Sequence, residues 1–223
     1  MRLLKLELGI FKVNCYILSL DNVNVIIDPG AEFMVIKKNL ERYSIKPDFI
    51  LNTHGHYDHI GAVSDIISYY DIPFYIHELE EQIITDPLKN CSSFFGENEL
   101  SLKTYNLIKE EDYNYFLSLG IEIINVPGHT PGSIMLKVKD ALFTGDLLFR
   151  GSAGRTDLPG GSIIQIKKSL AKLRKMDCRL KIYPGHGQES TLEYELRTNY
   201  YLGDDFLKAG NGFDDETDDR PDT

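Results

Sequence analysis

Residues 53–59 read Thr53-His54-Gly55-His56-Tyr57-Asp58-His59 and hold three of the chain's six histidines. A short apolar strand, Asp48–Leu51, leads into the segment, and a stretch of helical periodicity, Ile60–Tyr70, leads out of it. In a loop, side chains two apart can turn toward one point, so His54 and His56 can aim both imidazoles inward. Asp58 and His59 open the helix, whose rigid end can present them to the same cavity. Four metal-ligating side chains in six residues point to a metal site at the end of a β-strand.

Three more candidates lie downstream, each just past a strand. His129 sits in Val126-Pro127-Gly128-His129-Thr130-Pro131-Gly132, where two prolines and two glycines set a tight turn. Asp146 closes Phe143-Thr144-Gly145-Asp146, and His186 lies in Tyr183-Pro184-Gly185-His186-Gly187. The sixth histidine, His77, is followed by Glu78, Glu80 and Glu81 and reads as the polar end of a strand.

The remaining pattern alternates strands and helices. Leu3–Leu8, Val13–Leu20 and Val23–Ile27 read as strands, the third ended by Asp28-Pro29-Gly30, where proline removes a donor and glycine permits a left-handed turn. Residues 31–43 carry apolar positions at helical spacing. Pro73–Ile76, Ile121–Val126, Ser133–Val138, Ala141–Phe143 and Leu180–Tyr183 read as strands, and Ser162–Arg174 and Thr191–Tyr201 as helices. The expected fold class is α/β (α+β): two mixed sheets covered on the outside by helices.

Of 223 residues, 24 are Lys or Arg and 34 Asp or Glu, a formal charge of −10. Nucleic acid binding draws most of its affinity from clustered bases, so this balance excludes it as a partner, and an anionic membrane surface with it. The acidity is uneven. Residues 204–223 hold eight acids and two bases, with almost nothing apolar after Phe213. They are expected to form a flexible acidic tail on a single domain of residues 1–203. The odd set Cys15, Cys91 and Cys178 lacks a disulfide or C-x-x-C spacing, and Arg2, Lys5 and Glu7 interrupt any signal-peptide core. Both features predict a cytoplasmic protein. Cys15, on a strand, reads as core.

At His54, His56, Asp58, His59, His129, Asp146 and His186 the chain resembles the metallo-β-lactamase superfamily, in order and in approximate spacing. The resemblance runs from Asn14-Cys15 to the helix Thr191–Tyr201 and implies that family's αββα sandwich, with the site at one edge of the sheets. His59 and Asp146 stand where antibiotic-cleaving relatives carry Arg and Cys, which sets that branch aside. Gly145-Asp146-Leu147-Leu148-Phe149 and Gly154-Arg155-Thr156-Asp157 look like the short form of the glyoxalase II (hydroxyacylglutathione hydrolase) branch.

The resemblance implies one metal on His54, His56 and His129, a second on Asp58, His59 and His186, and Asp146 bridging. It makes Asp58 and Asp146 the catalytic carboxylates. Imidazole and carboxylate ligands suit Zn²⁺ first, with Fe or Mn as alternatives. Two cations about 4 Å apart bring a shared water's pKa toward roughly 7, giving a metal-bridging hydroxide for attack on a thioester such as S-D-lactoylglutathione. Arg155 is placed to grip the carboxylate of an anionic small-molecule substrate, or to pair with Asp157. Asp28 can orient a ligand histidine from behind, or merely close its turn. The alternative function is a mononuclear iron persulfide dioxygenase using His54, His129 and Asp146.

Overall fold

The structure, a computed structural model, describes residues 1–96 and 98–209. Six strands form the first sheet: β1 (Arg2–Leu8), β2 (Val13–Ser19), β3 (Asn24–Ile27), β4 (Phe49–Leu51), β5 (Phe74–His77) and β6 (Asn106–Ile108), in that order. The first three are antiparallel neighbours, and β3 to β6 run parallel. The second sheet uses β7 (Glu122–Asn125), β8 (Ile134–Val138), β9 (Ala141–Gly145), β12 (Lys181–Pro184) and β13 (Ser190–Thr191), ordered β13-β12-β9-β8-β7. A small hairpin, β10 (Leu148–Phe149) with β11 (Ser152–Ala153), lies outside it.

Both sheets bury both faces, and alternation along single strands assigns each face. On β2, Cys15 and Ile17 point to one apolar cluster while Tyr16 and Leu18 point to another. On β8, Ile134, Leu136 and Val138 share that second cluster, and Met135 faces a third. The second cluster therefore fills the space between the sheets. The first is closed by α1 (Phe33–Arg42), through Ile36 and Leu40, and by α3 (Val63–Tyr70), which follows the single turn α2 (Tyr57–Ile60). The third is closed by Ile166, Leu170 and Leu173 from a helix at Ile163–Leu173. The layers are helix, sheet, sheet, helix, as expected.

Between β5 and β7 the sequence shows no clear period. The structure fills this stretch with a 3₁₀ turn at Glu78–Glu80, α4 (Glu81–Thr85), α5 (Ser92–Phe95), β6 and α6 (Tyr113–Ser118). Helices of four to six residues are too short to show an amphipathic repeat. Numbering on, the long helix is α7 (Ile163–Leu173), followed by α8 (Leu192–Thr198) and α9 (Asp204–Lys208).

Three expectations need correcting. The helix expected over Ile60–Tyr70 is broken at Gly61-Ala62, where the Ala62 amide bonds the Pro29 carbonyl at 2.9 Å. The left-handed residue of the Asp28-Pro29-Gly30 turn is Asp28 (φ 50°), not Gly30. Gly30 is needed for close approach instead, since a Cβ there would lie 1.4 Å from the Asp58 carbonyl oxygen. The tail does not begin at Asp204, because Asp204–Lys208 is α9, with Leu207 buried in the third cluster and Asp204 paired to Arg174. Residues 210–223 of the expected tail lie outside the described residues. Among the described residues no helix is long and apolar enough to cross a membrane.

Candidate metal centre

In the first sheet β3, β4 and β5 are parallel, so their carboxyl ends share one edge. In the second, β7 and β9 are both antiparallel to β8, and β12 is parallel to β9, so these three also end together. Asp28 follows β3, His54–His59 follow β4, His129 follows β7, Asp146 follows β9 and His186 follows β12. A bridge between Val13 and His186 joins the sheets at that edge. Ligand candidates scattered over 133 positions thus meet in one place because the strand directions agree.

The structure brings all seven candidates together. Two triads have ligating atoms within 4.8 Å of one another: His54, His56 and His129, and Asp58, His59 and His186. His54, His59 and Asp146 form a third such group across them. His56 Nδ1 lies 2.9 Å from His129 Nε2, and His59 Nε2 lies 3.3 Å from His186 Nε2. Asp146 stands between the triads, with Oδ1 3.5 Å from His59 Nε2 and Oδ2 3.6 Å from both His129 Nε2 and His186 Nε2.

The outer nitrogens show what the inner ones are for. His129 Nδ1 donates to the Arg155 carbonyl at 2.8 Å, and His186 Nδ1 to the Phe11 carbonyl at 3.0 Å. The Thr53 hydroxyl donates to Asp28 Oδ2 (2.7 Å), so at 3.1 Å it accepts from His54 Nδ1. His59 Nδ1 sits 3.1 Å from Asp28 Oδ2, close but poorly aligned for a hydrogen bond. His54, His129 and His186 thus spend the Nδ1 proton outward and turn Nε2 inward. Buried, His54 Nε2, His56 Nε2 and Asp146 Oδ1 find no hydrogen-bond partner among the described residues. His54 Nε2 and Asp146 Oδ1, buried without a hydrogen-bond partner, and triads whose ligating atoms lie within 4.8 Å of one another fit divalent metals.

The electrostatics agree. Burial pushes His54 and His56 well below the ordinary imidazole range, which keeps them neutral and able to ligate. Burial acts the same way on His59, but the carboxylates of Asp146, Asp58 and Asp28 overcome it and raise this group to about 10. Asp58 is also opposed by burial, yet the neighbouring His59 and His186 hold it far below the usual carboxylate range. Three carboxylates converging on one point favour positive charge there.

Asp28 does more than close its turn, since its second oxygen, Oδ1, accepts the Thr53 amide at 2.8 Å. Asn14 and Tyr16 grip the His186 loop, donating to the Pro184 carbonyl at 2.9 and 2.8 Å. Sequence reasoning missed both, and also Glu80, whose carboxylate is fully buried between two ligand loops. Burial pushes the Glu80 carboxyl up to about 7 against the opposing pull of the Thr130 hydroxyl and the Gly132 and Gly55 amides. His77 ends β5 and accepts the Leu79 amide through Nδ1, the structural role expected of it. Cys15 packs in the first cluster, whereas Cys91 lines the cavity over the site.

That cavity, about 430 Å³, has His56, Asp58, His129, Asp146 and His186 in its floor. Its walls are Phe11, Tyr57, Phe95, Phe149 and Leu158, with Arg155 at the rim. Phe11 meets Tyr57 and Phe95 edge-on, at centroid distances of 5.7 and 6.0 Å. Arg155 is forked onto Asp157 at 2.6 and 2.8 Å, so it both lines the cavity and makes the alternative ion pair.

Residues 8–186 match the model of the metallo-beta-lactamase superfamily, and the chain belongs to that family. It is 34% identical over 204 residues to the Bacillus subtilis protein named probable metallo-hydrolase YqgX, covering 89% of this chain and 96% of that one. It is 32% identical to hydroxyacylglutathione hydrolase GloC of Haemophilus influenzae, over 86% of this chain and 93% of the relative. Among solved structures, TTHA1623 in a di-iron-bound form aligns with a TM-score of 0.80 at 32% identity, covering 89% and 100% of the two chains. BLEG-1, described as a B3 metallo-beta-lactamase, aligns at 0.83 with 33% identity over 90% and 99%. The branch set aside from the sequence thus includes, by name, a structure similar to this chain. Family and site together define a metal-dependent hydrolase.

Proposed function

We propose that the chain is a dinuclear metal hydrolase of thioesters, with S-D-lactoylglutathione as the model substrate. The observation that carries this reading is the pair of ligand triads sharing Asp146 beneath an open cavity. Zn²⁺ suits these nitrogen and oxygen ligands, and Fe or Mn suits them as well. When bound, two such ions supply hydroxide at neutral pH and polarise the scissile carbonyl. The chain's own residues do the rest. His54, His56 and His129 would hold one ion and Asp58, His59 and His186 the other, with Asp146 common to both. Asp28 and Thr53 fix the rings of His59 and His54, while the aromatic walls displace water from the substrate's carbon chain. A one-iron dioxygenase built on His54, His129 and Asp146 leaves the triad Asp58, His59 and His186 without a task, so two ions are preferred.

The test is metal analysis of protein purified without added metal, followed by thioester turnover with Zn²⁺, Fe²⁺ and Mn²⁺, and a β-lactam run alongside. About two ions per chain and thioester cleavage are expected. No turnover with any metal would remove the thioester assignment. Chelation should also lower the melting temperature. A ligand present at about a thousand times its Kd stabilises by about 4 kcal/mol, which for a chain of this size is about 10 °C. An apoprotein that melts with the loaded form would contradict a site filled in the folded state.

Arg155 gives a second check. Its pair with Asp157 is exposed and screened by solvent, so a substrate carboxylate can displace Asp157. Arg155→Ala should raise KM for an anionic thioester about tenfold with little change in kcat. Asp157→Ala should lower KM. Equal kinetics in both variants would separate Arg155 from substrate binding.

A further inference from the structure

We infer that Glu80 is a positioning residue that sets the three-histidine half of the metal centre by tying its two loops together. The inference rests on the metal-centre reading above and adds a residue to it. Glu80 follows β5, and its carboxylate is fully buried at the sheet edge where the ligands gather. Oε2 accepts the Gly55 amide at 2.7 Å, and Oε1 accepts the Gly132 amide at 2.7 Å. Gly55 is the residue between His54 and His56, and Gly132 closes the turn that presents His129. One rigid side chain thus spans the two loops that supply all three nitrogens of that triad.

The glycines are shaped to it. A Cβ at Gly132 would stand 2.9 Å from Glu80 Cγ and Oε1. At Gly55 it would stand 3.1 Å from Glu80 Oε2 and 2.8 Å from Ile84 Cγ2. Only glycine lets the carboxylate come close enough to take both amides. Two charge-assisted bonds to main chain hold the His54–His56 loop and the His129 turn at fixed separation. His56 Nδ1 and His129 Nε2, 2.9 Å apart, are the atoms whose spacing this controls. The other triad has separate anchors: α2 carries Asp58 and His59, Asn52 bonds the His59 carbonyl, and Phe11 holds the His186 ring. Losing Glu80 should therefore affect one ion more than the other.

The experiment is Co²⁺ titration of the metal-free full chain, read by absorbance, with Zn²⁺ competition as a check. Wild type is expected to take two ions. Glu80→Gln keeps the volume and one acceptor, but sets an NH₂ against the second amide. It should weaken one ion by about 10- to 100-fold, leaving the other near its wild-type affinity. Glu80→Met, which removes both acceptors, should weaken the same ion further. The metal-free Glu80→Gln protein should melt somewhat lower than wild type, because one buried amide is left facing an NH₂, so the readout that separates positioning from structural support is unequal loss at the two ions. Unchanged affinity at both sites in folded Glu80→Gln overturns the inference, and so does equal weakening at both. A wild type that binds no cation fails differently, because it overturns the metal centre itself.

Discussion

Asp146→Ala should abolish thioester turnover, lowering kcat/KM by about a thousandfold, and should reduce metal content below two ions per chain. Among the described residues Asp146 is the one carboxylate with contacts to both triads: 3.5 Å to His59, and 3.6 Å to both His129 and His186. Its removal takes a negative charge from the point where two cations would lie closest, where they repel most strongly. A bound metal ion is worth several kcal/mol of transition-state stabilisation, and each 1.4 kcal/mol is about tenfold in rate. The fold should not suffer. Asp146 Oδ1 has no hydrogen-bond partner among the described residues, so its loss breaks no bond of that oxygen and the metal-free variant should still unfold cooperatively. Asp146→Asn, which keeps the shape and loses the charge, separates bridging charge from packing. Activity within tenfold of wild type in either variant would remove Asp146 from the chemistry.

Among the described glycines, Gly30→Ala should be the most destabilising change to alanine. Its Cβ would fall 1.4 Å from the Asp58 carbonyl oxygen and 2.6 Å from Val13 Cγ1. The contact is reciprocal, because a Cβ at Gly61 would fall 2.2 Å from the Gly30 carbonyl oxygen. Here the Asp28-Pro29-Gly30 turn is pressed against α2 by backbone, and backbone cannot rotate away as a side chain can. Forcing a methyl into a filled space of this kind costs about 3 kcal/mol or more, and a domain of this size then melts about 10 °C lower. Since α2 carries Asp58 and His59, the same displacement should weaken metal binding. Thermal unfolding of the metal-free and loaded forms measures both effects. An unchanged melting temperature would mean that the turn and α2 are not in contact.

The ligands were legible because nature packs them into short words. His54, His56, Asp58 and His59 fall within six residues, and His129, Asp146 and His186 each follow a strand and a glycine-bearing turn. Such words survive without knowledge of the fold. Glu80 has no word around it. Its partners are main-chain amides 25 and 52 residues away, and a carboxylate among Glu78, Glu80 and Glu81 looks like any solvated face. The cavity walls were hidden for the same reason, since Phe11, Phe95 and Leu158 come from three separate segments of the chain. α9 was hidden by composition: Asp204 and Asp205 read as the start of an acidic tail, yet Leu207 behind them reaches apolar surface.

By itself the sequence determined the layer order and the identity of the metal-ligand candidates. Apolar alternation of period two and helical spacing each dictate which face must be buried, and histidine with carboxylate at close spacing dictates hard and borderline cations. The tertiary structure decided everything that depends on two distant segments meeting. It decided that five strand ends share an edge and which ring nitrogen of His54, His129 and His186 turns inward. It also decided that Gly30 answers to a neighbouring carbonyl rather than to its own backbone angles, and that Glu80 joins two loops. Contacts of long sequence separation follow from strand direction and close packing, and neither is written in any one window of residues.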